Sequence, residues 1–66
     1  MIDNTHLILR RYALGMTQKQ LAERVGIGKD QISRIESGRA MPSIKTLVTL
    51  CRELHTQPNK VLRWYD

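Results

Sequence analysis

The sequence predicts an all-α fold, and three observations carry that prediction. Apolar residues recur at three- and four-residue spacings along most of the chain, the signature of amphipathic helices. Helix starts are marked by Thr17, Ser43 and the Gln57-Pro58 pair, and helix ends by Gly15 and Gly38. No stretch makes a credible strand, and no tract is of low complexity. Five helices in one domain spanning residues 1–66 account for the whole chain, with neither linker nor repeat.

Each element has its own justification. The first segment, Thr5 to Leu14, places apolar groups at Leu7 or Ile8, Leu9, Tyr12 and Ala13, too close together to fix which face is buried. Gly15 ends it. Thr17 then opens the second helix with a capping box to Gln20 and a hydrophobic staple from Met16 to Leu21. That helix runs to about Val25 and turns at Gly26. The third has Gly28 as N-cap and a staple from Ile27 to Ile32, and Gly38 closes it. After the loop Arg39 to Pro42, Ser43 caps a fourth helix whose Ile44, Leu47, Val48, Cys51 and Leu54 read as one core-packing stripe. Gln57 and Pro58, as N-cap and first helical position, start a last short helix carrying Val61, Leu62, Trp64 and Tyr65.

Length and composition bound the function. A chain of 66 residues buries only about 60% of the surface exposed on unfolding, so economical packing or self-association must supply stability. One cysteine excludes an internal disulfide and fits a reducing cytosol. No signal peptide is evident and no apolar run approaches the ~20 residues of a membrane span, so a soluble cytoplasmic protein is expected. Lysine and arginine outnumber aspartate and glutamate 11 to 6, a formal charge of +5 that attracts polyanions. Charge excess is common among small proteins, so its position on the fold has to decide its meaning.

The segment from Gln18 to Ser37 supplies that position. Two short helices crossing at a steep angle need a methyl-sized side chain at the crossing and a residue tolerant of positive φ at the corner, which Ala22 and Gly26 provide. Leu21, Val25, Ile27, Ile32 and Ile35 give each helix one buried face. This is the skeleton of a helix-turn-helix. With TQKQLA opening the second helix, IxxIExG from Ile32 to Gly38, and Pro42-Ser43 before the fourth, the sequence resembles the Cro/cI-type, or xenobiotic-response-element, family of lambda-repressor-like DNA-binding domains. The likeness covers nearly the whole chain.

The resemblance implies that the tip of the third helix enters the major groove, where each base pair presents its own donor and acceptor pattern. Ile32 and Ile35 mark the inward side of that helix, leaving Asp30, Ser33, Arg34 and Ser37 outward and Lys29 at the tip. Lys29, Asp30, Gln31 and Arg34 are therefore the candidate base readers, Arg34 foremost, with guanine O6 and N7 its natural target. Asp30 stands four residues before Arg34 and admits three readings: reader, buttress of the Arg34 rotamer, or complement to the helix dipole. Phosphate contacts are expected from Thr17, Gln18, Lys19, Ser37, Arg39, Ser43 and Lys45, around the helix N-termini and rims. Gln18 ranks above Lys19, because in the family the matching residue spans backbone and base edge. A solvated, uninvolved charge is the alternative for each surface lysine.

Glu36 follows Ile35 on the semi-buried side with no partner carboxylate or histidine nearby in sequence, which argues against acid catalysis. The resemblance assigns it instead to a structural ion pair with Arg11. Cys51 and His55 have the i, i+4 spacing of two metal ligands, but a structural zinc site wants four, so core packing and a helix-end position are the better readings. With no phosphate-cradling glycine loop and no nucleophile beside an ordered base, neither enzymatic activity nor a cofactor nor a metal is expected.

One such domain reads too few base pairs to compete with a genome of non-specific sites, and a symmetric dimer solves that problem. Leu62, Trp64 and Tyr65 are the candidate dimer interface, with packing back onto the first helix as the alternative. Two departures from the family stand out: Arg10 where a core leucine is frequent, and Gly28 in place of a serine or threonine cap. The expected function is a sequence-specific dimeric regulator of phage, plasmid or restriction-controller type, binding double-stranded DNA and acting as a repressor. The alternative is an antitoxin-like module that binds a toxin and regulates itself through the same DNA face. Non-specific packaging fits less well, since Asp30 and Glu36 interrupt the basic face.

Overall fold

A computed structural model describes residues 4–61. It contains the helices α1 (Asn4–Ala13), α2 (Gln18–Val25), α3 (Lys29–Glu36) and α4 (Ile44–Glu53), and the helical turn α5 (Pro58–Val61), with no strand among the described residues. The fold is all-α. Four full helices stand where five were expected; of the last segment, only the 4 residues Pro58–Val61 fall among the described residues. Its backbone closes through Lys60 N–H donating to Gln57 C=O at 2.9 Å, a three-residue closure at a Pro-started turn. Leu62, Trp64 and Tyr65 lie outside the described residues.

Every element sends side chains into one core. Leu7 comes from α1, Leu21 and Ala22 from α2, Ile32 and Ile35 from α3, Leu47, Leu50 and Cys51 from α4, Leu54 from its C-cap and Val61 from α5. Met16, Val25, Ile27 and Ala40 pack around it. On α1 the buried pair is Leu7 and Arg11, one turn apart, which leaves Leu9 and Tyr12 in solvent. Spacing alone left this register open because one of the two inward positions is an arginine.

The α4 stripe is narrower than the sequence suggests. Leu47, Leu50, Cys51 and Leu54 point inward at i, i+3, i+4 and i+7, whereas Ile44 is 73% exposed and Val48 41%. At about 100° per residue these two fall to one side of the buried stripe, so they are not core residues.

The α2–α3 corner is built as its small residues require. Gly26 sits at φ 85°, its N–H donates to Ala22 C=O at 2.8 Å, and Ile27 N–H donates to the same carbonyl at 3.1 Å. Ala22 is 2% exposed, so its methyl group fits within the packed core beneath α3. At the far end of α3, Gly38 adopts φ 82°, and a Cβ there would approach Asn4 Nδ2 to 2.8 Å. The start of α1 thus closes over the end of α3.

Candidate nucleic-acid interface

The outer side of α3 is open. Lys29, Asp30, Gln31, Ser33 and Arg34 are exposed, while Ile32 and Ile35, at 1% and 2% exposure, anchor the helix from below. The four candidate readers therefore share one accessible side of a helix whose depth and rotation are set by core packing. Asp30 and Arg34 are not bonded to one another, the ion pairs among the described residues being Arg11–Glu36 and Arg24–Glu53. The buttress reading of Asp30 is not realised here, and its place in the first turn of α3 suits the helix dipole.

The start of α2 is fixed by a reciprocal cap. Thr17 Oγ1 accepts from Gln20 N–H at 3.0 Å, and Gln20 Oε1 accepts from Thr17 N–H at 2.9 Å. The first i to i+4 bond runs from Leu21 N–H to Thr17 C=O at 3.0 Å, so the N–H groups of Gln18 and Lys19 precede the ladder and point out of the helix end. Thr17 and Lys19 are exposed and Gln18 is half-buried.

Beneath this edge lies a buried polar cluster. Arg11 Nε donates to Glu36 Oε2 at 2.7 Å, Arg11 Nη2 donates to Glu36 Oε1 at 3.0 Å, and Arg11 Nη1 donates to Met16 C=O at 3.0 Å. Arg11 and Glu36 are 6% and 8% exposed. Gln18 Nε2 completes the set by donating to Glu36 Oε1 at 3.0 Å. Hydrogen bonding to the Glu36 carboxylate pushes the Arg11 pKa above its ordinary value, against the opposing effect of burial. The Arg11–Glu36 pair thereby joins α1 and the last residue of α3 to the α1–α2 loop, through Arg11, and to the first residue of α2, through Glu36. The inward bond of Gln18 was invisible in the sequence, where Gln18 read as a DNA contact to phosphate and, by resemblance, to a base edge. A glutamine at the first position of a helix carries no mark of which way its amide faces.

The remaining candidates occupy the segment that follows α3. Ser37 Oγ donates to Arg34 C=O at 3.1 Å, and Arg39 N–H donates to the same carbonyl at 2.8 Å, so the chain leaves α3 tightly and the Arg39 side chain remains exposed. Ser43 Oγ accepts from Thr46 N–H at 3.2 Å and caps α4, with Lys45 exposed beside it. Arg10, the departure from the expected core leucine, donates from Nε to Leu54 C=O at 3.0 Å and so satisfies the end of α4. His55 follows that end at φ 55°, and Cys51 is a buried free thiol. Among the described residues no three His, Cys, Asp or Glu side chains gather as metal ligands. No described helix is long and apolar enough to cross a membrane.

Known proteins match this arrangement. The family model described as Helix-turn-helix, HTH_3, matches residues 8–61. An uncharacterized HTH-type transcriptional regulator of Haemophilus influenzae is 42% identical over 48 residues, 73% of this chain and 49% of that protein. A second such regulator, of Methanothermobacter thermautotrophicus, is 43% identical over 44 residues, 67% of this chain and 64% of that protein. The chain thus spans about half to two-thirds of the length of these curated relatives. Among solved structures, the P22 c2 repressor in complex with the synthetic operator 9T superposes with a TM-score of 0.89 at 25% identity, covering 96% of both chains. The capped α2, the Gly26 corner, the Glu36 anchor and the family match across residues 8–61 lead to one assignment: this chain belongs to the Cro/cI-type helix-turn-helix family of transcriptional regulators.

Proposed function

We propose that the chain is a sequence-specific DNA-binding repressor, that its 66 residues form one DNA-binding unit, and that it works in the cytoplasm as a homodimer on a two-fold-symmetric operator. The observation that carries this reading is the outer side of α3, where Lys29, Asp30, Gln31 and Arg34 are all exposed on a helix locked by Ile32 and Ile35. The superposition on a repressor solved with its operator supports it. In this reading α3 lies in the major groove and Arg34 reads guanine. Thr17, Gln18, Lys19, Ser37, Arg39, Ser43 and Lys45 hold the phosphates on either side. Repression follows from occupying a promoter. The toxin-binding alternative rests on Trp64 and Tyr65, outside the described residues, and no described feature favours it.

Selection of bound duplexes from a random library at about 0.15 M salt, where screening suppresses purely electrostatic binding, tests the reading. A two-fold-symmetric motif is expected, with half-sites about one helical turn apart, near 34 Å. Arg34→Ala should lose about 1 to 3 kcal/mol of binding and relax preference at one position per half-site. Equal loss on every sequence would remove Arg34 from the readers. Lys19→Ala and Arg39→Ala should instead weaken binding uniformly and shrink the salt slope by roughly one each.

A further inference from the structure

Asp30 is the one acidic side chain on the outer side of α3, where Lys29, Gln31, Ser33 and Arg34 are its neighbours, and it is exposed. No hydrogen bond or ion pair among the described residues engages its carboxylate. In a chain of formal charge +5 whose reading helix is set against a polyanion, such a group works against attraction. The partial positive charge at the start of α3 favours a carboxylate in the first turn, but at about half an elementary charge it does not neutralise one. We propose that Asp30 is a specificity filter: its carboxylate accepts from the N4 amino group of one cytosine in each half-site and turns away other bases and non-specific duplex by repulsion, an inference that rests on the DNA-binding reading above.

The chemistry of the groove selects the base. A carboxylate only accepts hydrogen bonds, so it needs a donor, and the major groove offers two, cytosine N4 and adenine N6. Guanine and thymine present acceptors there, O6 and N7 or O4, which set lone pair against lone pair. Adenine N6 stands between two acceptors, its own N7 and O4 of the paired thymine, whereas cytosine N4 has an acceptor on one side only, O6 of the paired guanine. Cytosine therefore opposes a carboxylate least. Arg34 lies four residues on, about 40° round the helix and about 6 Å along it, so the two unpaired side chains share one face and meet separate positions of the half-site. Their effects differ in sign. Arg34 strengthens binding to the right site, while Asp30 weakens binding to the wrong ones, because a carboxylate without a donor in the groove is left facing acceptors and phosphates.

The test is the duplex selection described above, run on wild type, Asp30→Ala and Asp30→Asn, followed by titration of each protein on the wild-type operator and on a duplex without the motif. Asp30 is exposed and unpaired, so both variants should fold like wild type by circular dichroism. Wild type should enrich a cytosine at one position of each half-site, distinct from the guanine position that Arg34→Ala relaxes. Asp30→Ala should lose the cytosine preference, bind the motif-free duplex several-fold more tightly, and narrow the ratio of specific to non-specific binding by about fivefold or more. Asp30→Asn should move the preference at the same position toward adenine, whose N6 and N7 suit an amide. If Asp30→Ala instead relaxes the guanine position, Asp30 supports Arg34 on DNA and the proposal is overturned. A motif unchanged in Asp30→Ala assigns the residue to the helix dipole alone, which overturns the filter and leaves the DNA-binding reading intact. Should wild type enrich no motif, that reading falls and takes the filter with it.

Discussion

Glu36 carries a carboxylate into a site only 8% exposed, and it is tolerated because three N–H donors converge on it, two from Arg11 and one from Gln18. Removing one partner of such a pair strands the other charge in the interior, at a cost of about 3–5 kcal/mol. Folding stability of about 0.05–0.15 kcal/mol per residue leaves a domain of this length little in reserve. Glu36→Ala should therefore unfold most of the protein at 37 °C, seen as a collapse of the thermal transition in circular dichroism. Replacing Arg11 and Glu36 together by leucine should recover much of the loss. Because the Arg11 pKa is raised, the stability tied to its charge is fully present below the ordinary arginine range and is lost only above it. The Arg11 contribution is accordingly constant across the physiological pH range. His55 is a second residue-scale case, since its φ of 55° places a side chain in the left-handed region that glycine adopts freely. His55→Gly should raise the unfolding free energy by roughly 1 kcal/mol in urea titration.

The elements differ in how much of their form is local. α2 begins with both halves of a capping box in place, so Thr17→Ala should cost about 1 kcal/mol of stability by denaturant titration without moving the α3 readers. α3 begins at Gly28, whose backbone is extended at φ −80° and which offers no side-chain cap, and depends more on Ile32 and Ile35 for its placement. The cap of α2, the Gly26 corner and the cap of α4 were legible in sequence because each depends on residues within four positions of one another. The α4 stripe was legible only in part. Leu47, Cys51 and Leu54 pack as read, but Ile44 and Val48 are apolar without being inward, and hydrophobicity alone does not distinguish a core edge from a surface strip. The register of α1 was illegible for the opposite reason, since a charged residue, Arg11, occupies an inward position.

At the scale of the whole molecule, whose Cα radius of gyration is 10.6 Å, one core links every described element, so opening it anywhere should expose much of it. Cys51 reports on that opening. It is 2% exposed, and burial pushes its thiol pKa up. A thiol reagent should therefore label it only through unfolding, with a rate that rises in step with added urea; fast labelling in native buffer would show a looser core. The same shift gives a pH signature. The unfolded thiol ionises first, so the contribution is neutral below the ordinary thiol range and stability falls as pH rises past about 8.5, by no more than about 1.4 kcal/mol per pH unit. Cys51→Ala should flatten that alkaline limb.

The all-α class, the helix starts, the tight corner and the outward side of α3 were determined by the sequence alone, because they follow from short-range backbone chemistry and from apolar spacing within single helices. Tertiary structure decided what depends on neighbours distant along the chain. It turned Gln18 inward onto Glu36, set Arg10 on the carbonyl of Leu54 at the C-cap of α4, left Arg34 unpaired from Asp30 and left Ile44 and Val48 uncovered. The direction of an amide, an arginine or an exposed isoleucine is fixed by which donors, acceptors and apolar surfaces packing brings within reach, and local sequence does not encode that proximity.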